Sequence, residues 1–274
     1  MKFVDAHIHL SDNEYHQKVG EIVEDAKRSN VVALVSNSMD LKTSLLSLQL
    51  AEKHPNHVYA ALGIHPWNIR NLSPNELQDT VNLIFQHEEH REKVVAIGEI
   101  GLDSQYAMNK ELQDLQLQVF HEMLSTAEKL SLPVIVHSRG TTSQVMSLLP
   151  SYGLKKVLLH WFSRPIGLLS QLVDHGYFIT EGLPSIFSDG IREIVRRIPL
   201  TNLLTETDGP VHFGGPFKGK MTTPSFIPLV VEAIAQLKEK KETEVADQIF
   251  RNFTNFFGVR GARDKRHDEG TIGV

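Results

Sequence analysis

The segment Val94-Val-Ala-Ile-Gly-Glu-Ile-Gly-Leu-Asp103 is an almost uninterrupted apolar run that carries one carboxylate, Glu99, near its middle. Strands that helices cover on both faces read as continuous apolar runs, whereas a strand with one solvated face alternates. Glycines flank the acid, and a carboxylate in such a run is costly to bury unless it is paired or binds a metal. The segment therefore predicts a buried parallel strand with a chemically active end.

Seven further apolar runs resemble this one and recur about every 25–40 residues. The eight runs are Phe3–Leu10, Val31–Ser38, Val58–Pro66, Val94–Asp103, Leu132–Arg139, Lys156–Ser163, Tyr177–Gly182 and Leu203–Pro210. Most of them carry, at or near their carboxyl ends, a side chain that could bind a metal or a substrate. These side chains are His7, His9, His65, Glu99, His137, His160 and Asp208.

The segments between the runs have helical periodicity. The clearest is Asn109–Ser131, where apolar residues recur at steps of three and four and form one face. The other predicted helices are Glu14–Ser29, Leu41–Lys53, Pro74–Glu92, Thr142–Tyr152, Pro165–His175, Asp189–Ile198 and Pro224–Lys238. The pattern therefore predicts eight strands, each followed by a helix.

Two α/β architectures alternate parallel strands with helices, the closed barrel and the doubly wound open sheet. An open sheet gathers its site at one switch point, whereas the candidate ligands here come from strand ends spread over nearly the whole chain. The 274 residues also suit a barrel, which typically takes about 250. We therefore predict a TIM (β/α)8 barrel as a single domain over residues 1–259, with an additional C-terminal helix over Glu242–Gly258. Residues 260–274 are polar and aperiodic, which favours a disordered tail over a binding arm.

Composition and charge exclude several classes of function. The chain has no cysteine, so disulfides, thiolate metal sites and a cysteine nucleophile are excluded together. A formal net charge of −5 argues against wholesale electrostatic capture of nucleic acid, although Arg164, Lys218 and Lys220 could form a local basic rim. No apolar run is long enough for a membrane span and no signal sequence precedes Phe3, so we expect a soluble cytoplasmic protein without membrane contact.

The strand ends combine into a candidate metal site. His7 and His9 occupy alternate positions of one strand, so both imidazoles face the barrel mouth and can bind one ion. His137, His160 and Asp208 close three later runs in the same way. Any one of these histidines could be a core residue hydrogen-bonded to a backbone carbonyl. Five strand ends that each supply His, Glu or Asp instead predict a one- or two-metal site for metal-assisted hydrolysis.

The motifs at these strand ends resemble, in order, those of the TatD family of metal-dependent hydrolases in the amidohydrolase superfamily. They are His7-x-His9, Gly63-Ile-His-Pro66, Gly98-Glu-Ile-Gly-Leu-Asp103, His137-Ser-Arg139, His160-x-Phe162 and Glu206-Thr-Asp208. The stretch from Pro224 to Gly258 also resembles the closing helices of that family.

The resemblance implies a binuclear site and assigns its residues. One metal would be held by His7, His9 and Asp208, the other by His137 and His160, with Glu99 bridging the two. Asp208 would also orient or deprotonate the attacking water, so Asp208 and Glu99 are the expected catalytic residues. His65 and Arg139 are expected to contact the substrate phosphate, because a guanidinium suits phosphate geometry and an imidazole can donate a proton. The carboxylates expected to fix imidazoles or substrate groups are Asp5, Asp103 and Glu206.

The resemblance also implies the cofactors and the substrate. We expect two divalent ions per chain, with Zn, Mn, Ni or Fe as isolated because imidazoles dominate the ligand set, and with Mg or Mn able to support activity. The implied activity is that of a TatD-like deoxyribonuclease, a 3′–5′ exonuclease that cleaves phosphodiester bonds with a metal-activated water. DNA, single-stranded or at 3′ ends, is the expected partner, and no obligate protein partner is inferred.

The sequence departs from the common family pattern around the substrate rather than at the ligands. Gly140 stands where an acid is frequent, Trp161 replaces a small residue, and Ser163-Arg-Pro165 replaces a Ser-Gly-Ser-like turn. Trp161 could stack on a nucleobase or be a core indole. Two alternatives therefore stay open: an ester or amide hydrolase such as a D-aminoacyl-tRNA deacylase, and a non-catalytic metal-binding adaptor. A panel of substrates distinguishes the ester or amide hydrolase from the deoxyribonuclease. The presence of every expected metal ligand counts against the non-catalytic adaptor.

Overall fold

Eight parallel strands form one barrel in the computed structural model, which describes residues 1–86, 90 and 92–259. The strands follow one another in sequence order around the sheet, and each is hydrogen-bonded to the next. They are β1 (Phe3–Ile8), β2 (Val31–Asn37), β3 (Val58–Leu62), β4 (Val94–Gly101), β5 (Val134–His137), β6 (Val157–Leu159), β7 (Phe178–Glu181) and β8 (Leu203–Thr205). The predicted TIM (β/α)8 barrel is confirmed.

The barrel closes between β1 and the segment that follows β8. The backbone N–H of Asp208 donates to the carbonyl of His7 at 2.9 Å, and that of His9 donates to the carbonyl of Gly209 at 2.8 Å. The Thr205 hydroxyl lies lower in the same seam and donates to the Val4 carbonyl at 2.7 Å. Because closure occurs at these residues, the end of the last strand lies directly beside the end of the first.

Each strand is followed by at least one helix. The α-helices are α1 (Val19–Arg28), α2 (Leu41–Lys53), α3 (Glu76–Phe85), α4 (Lys110–Leu130), α5 (Thr142–Leu148), α6 (Leu169–Asp174), α7 (Pro184–Phe187), α8 (Asp189–Arg197), α9 (Ile227–Lys238) and α10 (Glu242–Phe257). The bounds of α2 agree with the prediction, and the Asn109 side chain caps α4 by accepting from the Leu112 N–H at 2.9 Å. The pattern gave no indication of α7, which is a single turn.

The first helix starts later than its periodicity predicts. Residues 13–18 form successive turns rather than the start of a helix, with the Tyr15 N–H donating to Asp12 and the Lys18 N–H to Tyr15. These turns bury the Tyr15 ring completely and let its hydroxyl donate to the Thr222 carbonyl. Tyr15, which falls within the predicted helix, therefore anchors two loops at the barrel mouth.

The glycines of β4 allow it to pack closely against β5. A Cβ on Gly98 would lie 2.8 Å from the Cβ of Ile135, and one on Gly101 would lie 2.0 Å from the carbonyl oxygen of His137. Gly101 also has φ of +145°, a conformation that favours glycine. The close approach places Glu99, between these glycines, deep in the mouth beside the end of β5.

The predicted C-terminal helix is present and packs against the barrel wall. The side-chain amide of Asn252 in α10 donates to the carbonyls of Leu200 and Leu203, each at 2.8 Å, while Phe256 packs edge-on against Phe178 of β7. The tail predicted over residues 260–274 lies outside the described residues. Within the described part of the chain, no helix has both the length and the apolar character needed to cross a membrane.

Candidate metal centre

All six predicted metal ligands come together at the carboxyl ends of the strands. His7, Glu99 and His137 lie within β1, β4 and β5, whereas His9, His160 and Asp208 lie just after β1, β6 and β8. The His9 side chain is the most exposed of the six, at 12%. The ligand-type atoms therefore face one another in a nearly closed space at the centre of the mouth.

One oxygen of Glu99 faces the histidines of β1. Glu99 Oε2 lies 3.1 Å from Nε2 of His7 and 3.1 Å from Nε2 of His9. The two imidazole nitrogens are 3.3 Å apart, and Asp208 Oδ1 lies 3.4 Å from Nε2 of His7. These four residues bring two nitrogens and two oxygens to one point.

The other oxygen of Glu99 faces the histidines of β5 and β6. Glu99 Oε1 lies 2.9 Å from Nδ1 of His137 and 2.8 Å from Nε2 of His160. The two ring nitrogens are 3.3 Å apart. Glu99 thus stands between two separate groups of donor atoms and presents one oxygen to each.

In His9 and His137, the ring nitrogen that faces away from Glu99 indicates which nitrogen of the ring has a free lone pair. Nδ1 of His9 lies 3.1 Å from the Asn37 carbonyl, and Nε2 of His137 lies 2.8 Å from Oδ2 of Asp103. Each of these nitrogens must carry a proton to make its bond, which leaves the nitrogen that faces Glu99 unprotonated in the neutral ring. Histidines that bind metals are oriented in this way by an outer acceptor.

The donor set fits divalent cations. Glu99 Oε2 is buried and accepts no hydrogen bond from the described residues, although imidazole nitrogens surround it. Burial raises the pKa of Glu99, but electrostatic interactions with His160, His65 and His7 outweigh burial and bring the pKa well below its usual value. Burial likewise lowers the pKa of His160, and the charges of Glu99 and Glu206 reverse this and raise it well above the usual range. The cluster therefore favours positive charge at its centre, which bound cations would supply.

His65, predicted to contact substrate, lies inside the cluster. Its Nδ1 accepts the Trp67 backbone N–H at 3.0 Å, so the ring proton belongs on Nε2, which lies 2.9 Å from Glu99 Oε1. Burial lowers the pKa of His65 to about 4, against the opposing effect of Glu99. His65 is therefore a neutral donor at neutral pH, and in this tautomer its inward nitrogen has no free lone pair for a metal.

Arg139, the other predicted substrate contact, is not part of the cluster. It follows β5 on an exposed loop, and its guanidinium makes no hydrogen bond or ion pair with the described residues. Its backbone carbonyl accepts the Ser104 N–H at 3.2 Å, which joins the loops after β4 and β5. The guanidinium is thus available to a ligand at the rim of the mouth.

The three outer carboxylates occupy different places. Although burial raises the pKa of Asp103, hydrogen bonds from His137 and Trp67 lower it to about 2. Glu206 Oε2 lies 3.5 Å from Nδ1 of His160 and accepts the Thr180 hydroxyl at 2.6 Å. Asp5 accepts the backbone N–H groups of His7 and Thr207 and the Thr207 hydroxyl, and so ties β1 to the segment after β8.

Two residues at this end of the barrel escaped the sequence analysis. Trp67 donates from its indole Nε1 to Oδ2 of Asp103 at 2.8 Å, beside the bond that this oxygen makes with His137. The position of Trp67, two residues after His65, was the available signal. Glu181, the last residue of β7, is fully buried, and neither of its carboxyl oxygens has a hydrogen-bond partner among the described residues; its burial raises its pKa well above the usual range. Only its place at a strand end could have drawn attention to Glu181.

The comparison with known proteins agrees with this geometry. The family model described as TatD related DNase matches residues 4–258. The chain belongs to the TatD family. The matched residues include every member of the cluster and all of the barrel strands except Phe3, the first residue of β1. The family prediction made from the sequence is confirmed, and with it the class of enzyme, a TatD-type metal-dependent hydrolase.

TatD relatives resemble the chain over nearly its full length. YabD of Bacillus subtilis, named an uncharacterized metal-dependent hydrolase, is 32% identical over 259 residues, which cover 93% of this chain and 98% of YabD. Deoxyribonuclease TATDN3 of Homo sapiens is 34% identical over 262 residues, which cover 93% of this chain and 94% of TATDN3. The crystal structure of YJJV, a TatD homologue from Escherichia coli, superposes on this structure with a TM-score of 0.85 at 27% sequence identity. The superposition covers 94% of this chain and 98% of YJJV.

Proposed function

We propose that this protein is a metal-dependent deoxyribonuclease that holds two divalent ions and hydrolyses phosphodiester bonds of DNA. The observation that carries the proposal is the position of Glu99 between two groups of imidazole nitrogens, with one carboxylate oxygen 2.8–3.1 Å from each group. A bridging carboxylate is typical of binuclear hydrolytic sites. TATDN3, which the chain resembles at 34% identity, is named a deoxyribonuclease.

The metal ligands divide between two ions in this proposal. His7, His9 and Asp208 would hold one ion, His137 and His160 would hold the other, and Glu99 would contribute to both. Four imidazoles and two carboxylates suit Zn, Mn, Ni or Fe as the ions present on isolation, while Mg or Mn supports turnover. Ions bound here would polarise a phosphate oxygen and lower the pKa of a water molecule.

The protein side chains position the substrate and move the proton. Burial raises the pKa of Asp208, but the hydrogen bond from His7 and the charges of the neighbouring histidines outweigh it and lower the pKa. Asp208 is therefore ionised at neutral pH and can accept a proton from the attacking water. His65 donates from Nε2 to a phosphate oxygen, and Arg139 at the rim contacts a second phosphate. Glu99 lies between the two groups of ligands and links them.

We further propose that the enzyme degrades single-stranded DNA or 3′ ends in the 3′–5′ direction, in the cytoplasm and without an obligate protein partner. What supports this preference is the burial of the cluster, since a single strand or a free 3′ end is slimmer than a duplex and reaches a buried centre more readily. The net charge of −5 is consistent with local rather than general attraction of the phosphate backbone.

Hydrolysis of end-labelled single-stranded DNA by chelator-treated protein tests the proposal. Zn, Mn and Mg are restored separately, and Glu99→Gln and Asp208→Asn are run beside the wild type. Glu193→Gln serves as the matched control, because Glu193 pairs with Arg197 on the outer helix α8. We expect metal-dependent cleavage that both site variants lose and the control keeps, with a product ladder receding from the 3′ end. Cleavage that survives chelation or Glu99→Gln would refute the assignment, and two bound ions without cleavage would favour an ester or amide substrate.

A further inference from the structure

Two aromatic side chains form a stacked pair at the rim of the metal centre. Trp67 follows β3 and Tyr106 follows β4; their ring centroids are 4.5 Å apart with an angle of 21° between the planes. Because the carboxyl ends of all strands meet at one mouth, loops after adjacent strands lie side by side there. The pair is therefore part of the surface that a substrate meets when it approaches the cluster.

The inner ring of the pair is fixed to the metal centre. The Trp67 indole Nε1 donates at 2.8 Å to the same Asp103 oxygen that accepts from His137. The Trp67 ring also packs edge-on against His65, with centroids 4.8 Å apart, and lies 6.0 Å from His137. Through these contacts the orientation of the indole is tied to that of two imidazoles in the cluster.

The outer ring of the pair is open to solvent. Tyr106 is 38% exposed, and its hydroxyl has no hydrogen-bond partner among the described residues. Its loop is held by the Arg70 guanidinium, which donates to the Tyr106 carbonyl at 3.0 Å. Met108, two residues further along, is 78% exposed. A partly exposed aromatic ring that stacks on a second, fixed ring beside the cluster is an arrangement suited to binding flat apolar groups.

We propose that Tyr106, supported by Trp67, is a stacking platform for one unpaired nucleobase of the DNA, next to the phosphodiester bond that is cleaved. The proposal rests on the proposed DNA hydrolysis. One face of the Tyr106 ring is covered by Trp67, so a single base stacks on the other face. Every nucleobase has a π face, so the platform tolerates any sequence and selects instead for a base that has left its own stack. Trp161, at another point of the mouth, packs against Phe213 and the core.

Abasic scanning of the substrate tests the platform. Single-stranded oligonucleotides carry one tetrahydrofuran abasic residue at successive positions from the 3′ end, and kcat/KM is measured with the metal-loaded enzyme. For the wild type we expect a loss of roughly 10-fold at one position next to the cleaved bond, mainly in KM, as base stacking on an aromatic residue implies. Tyr106→Ala is expected to lose a similar factor on intact DNA and to become insensitive to the abasic residue at that position.

Matched variants separate stacking from other effects. Tyr106→Phe keeps the ring and is expected to behave as the wild type, whereas Tyr106→Leu is expected to behave as the alanine variant. Phe85→Ala removes a comparably exposed aromatic residue from the outer helix α3 and is expected to change nothing. If Tyr106→Ala keeps wild-type kcat/KM, or stays as sensitive as the wild type to the abasic residue, the platform proposal is wrong.

A binding measurement distinguishes failure of the platform from failure of the proposed function. Anisotropy of a fluorescein-labelled oligonucleotide is measured with chelator-treated wild type and Tyr106→Ala, so that no cleavage is needed. Roughly 10-fold weaker binding by the variant supports the platform even if no metal restores hydrolysis, in which case only the nuclease proposal fails. Equal binding by the two proteins overturns the platform, whether or not DNA is cleaved.

Discussion

Replacing Asp103 by Asn tests how an outer carboxylate controls the metal centre. Oδ2 of Asp103 accepts from Nε2 of His137 and from Nε1 of Trp67, each at 2.8 Å, while Oδ1 accepts the Gln105 N–H at 2.7 Å. All three donors require an acceptor, and an amide offers only one oxygen. Asn at this position either faces Gln105 with its NH2 group or turns that group towards His137.

The expected magnitude follows from these bonds. Removing the negative charge weakens the bonds to this side chain, and the NH2 group leaves one donor without an acceptor if it faces Gln105 or two if it faces His137 and Trp67. Loss of such an outer partner typically lowers metal affinity or activity by about 10- to 100-fold, equivalent to roughly 1.4–2.7 kcal/mol. We expect the weaker of the two Zn affinities to fall by this factor, with kcat/KM falling in parallel when metal is limiting.

The assay is a Zn titration of chelator-treated protein against a competing chromophoric chelator. Asp40→Asn is the matched control, because Asp40 caps α2 by accepting the Thr43 N–H at 2.7 Å and lies outside the cluster. Asp40 Oδ2 also accepts the Asn68 side-chain amide at 3.0 Å, so the control likewise replaces a carboxylate that uses both oxygens, and it should keep its metal affinity. Unchanged Zn affinity in Asp103→Asn would refute the argument that Asp103 orients His137 for the metal.

Three further predictions concern stability. Gly101→Ala is expected to lower the free energy of unfolding by roughly 2 kcal/mol or more, because the added Cβ would meet the His137 carbonyl. Gly190→Ala in α8, where the space around the glycine is open, is the control and is expected to be neutral or stabilising. Equal effects of the two substitutions in chemical denaturation would contradict this prediction. Glu181 has a raised pKa, so the folded protein keeps its proton while the unfolded chain ionises above its usual pKa of 4.5, and stability falls as pH rises. Glu181→Gln should lack this pH dependence. The difference in unfolding free energy between wild type and variant should therefore grow from about pH 5 to pH 7 by up to ~1.4 kcal/mol per pH unit. Parallel curves of unfolding free energy against pH for the two proteins would contradict this prediction. Metal at about 100 times its dissociation constant is expected to stabilise the protein by about 2.7 kcal/mol, and a Tm that chelation leaves unchanged would argue against ions in this site.

The sequence predicted the barrel and the composition of its mouth because both follow from local patterns. Apolar runs with helical segments between them specify parallel strands, and the residue type at the end of each run specifies what meets at the mouth. The strands are shorter than the runs, since residues such as His65 and Asp208 lie in the loops just beyond them. An apolar run indicates how far the chain stays buried, but it does not indicate the residue at which hydrogen bonding between strands ends.

Contacts between separate loops could not be predicted in the same way. Trp67 and Asp103 are 36 positions apart, and nothing in either local pattern indicates that the indole donates to that carboxylate. The tautomer of His65 likewise depends on a backbone N–H two residues away, and the exposure of Arg139 depends on the path of its loop. Glu181 reads as an ordinary strand-end acid, although its burial without a partner makes it distinctive.

Counting bound ions and measuring DNA cleavage in the same preparation shows whether two ions, linked by Glu99, carry the hydrolysis. Chelator-treated wild type and Glu99→Gln are titrated with Zn or Mn, the ions per chain are counted by native mass spectrometry, and cleavage of labelled single-stranded DNA is measured at each step. The account predicts two ions in the wild type, with cleavage that rises as the second ion binds, and at most one tightly bound ion without cleavage in Glu99→Gln. Full cleavage by metal-free wild type, or two tightly bound ions and wild-type cleavage in the variant, would contradict it.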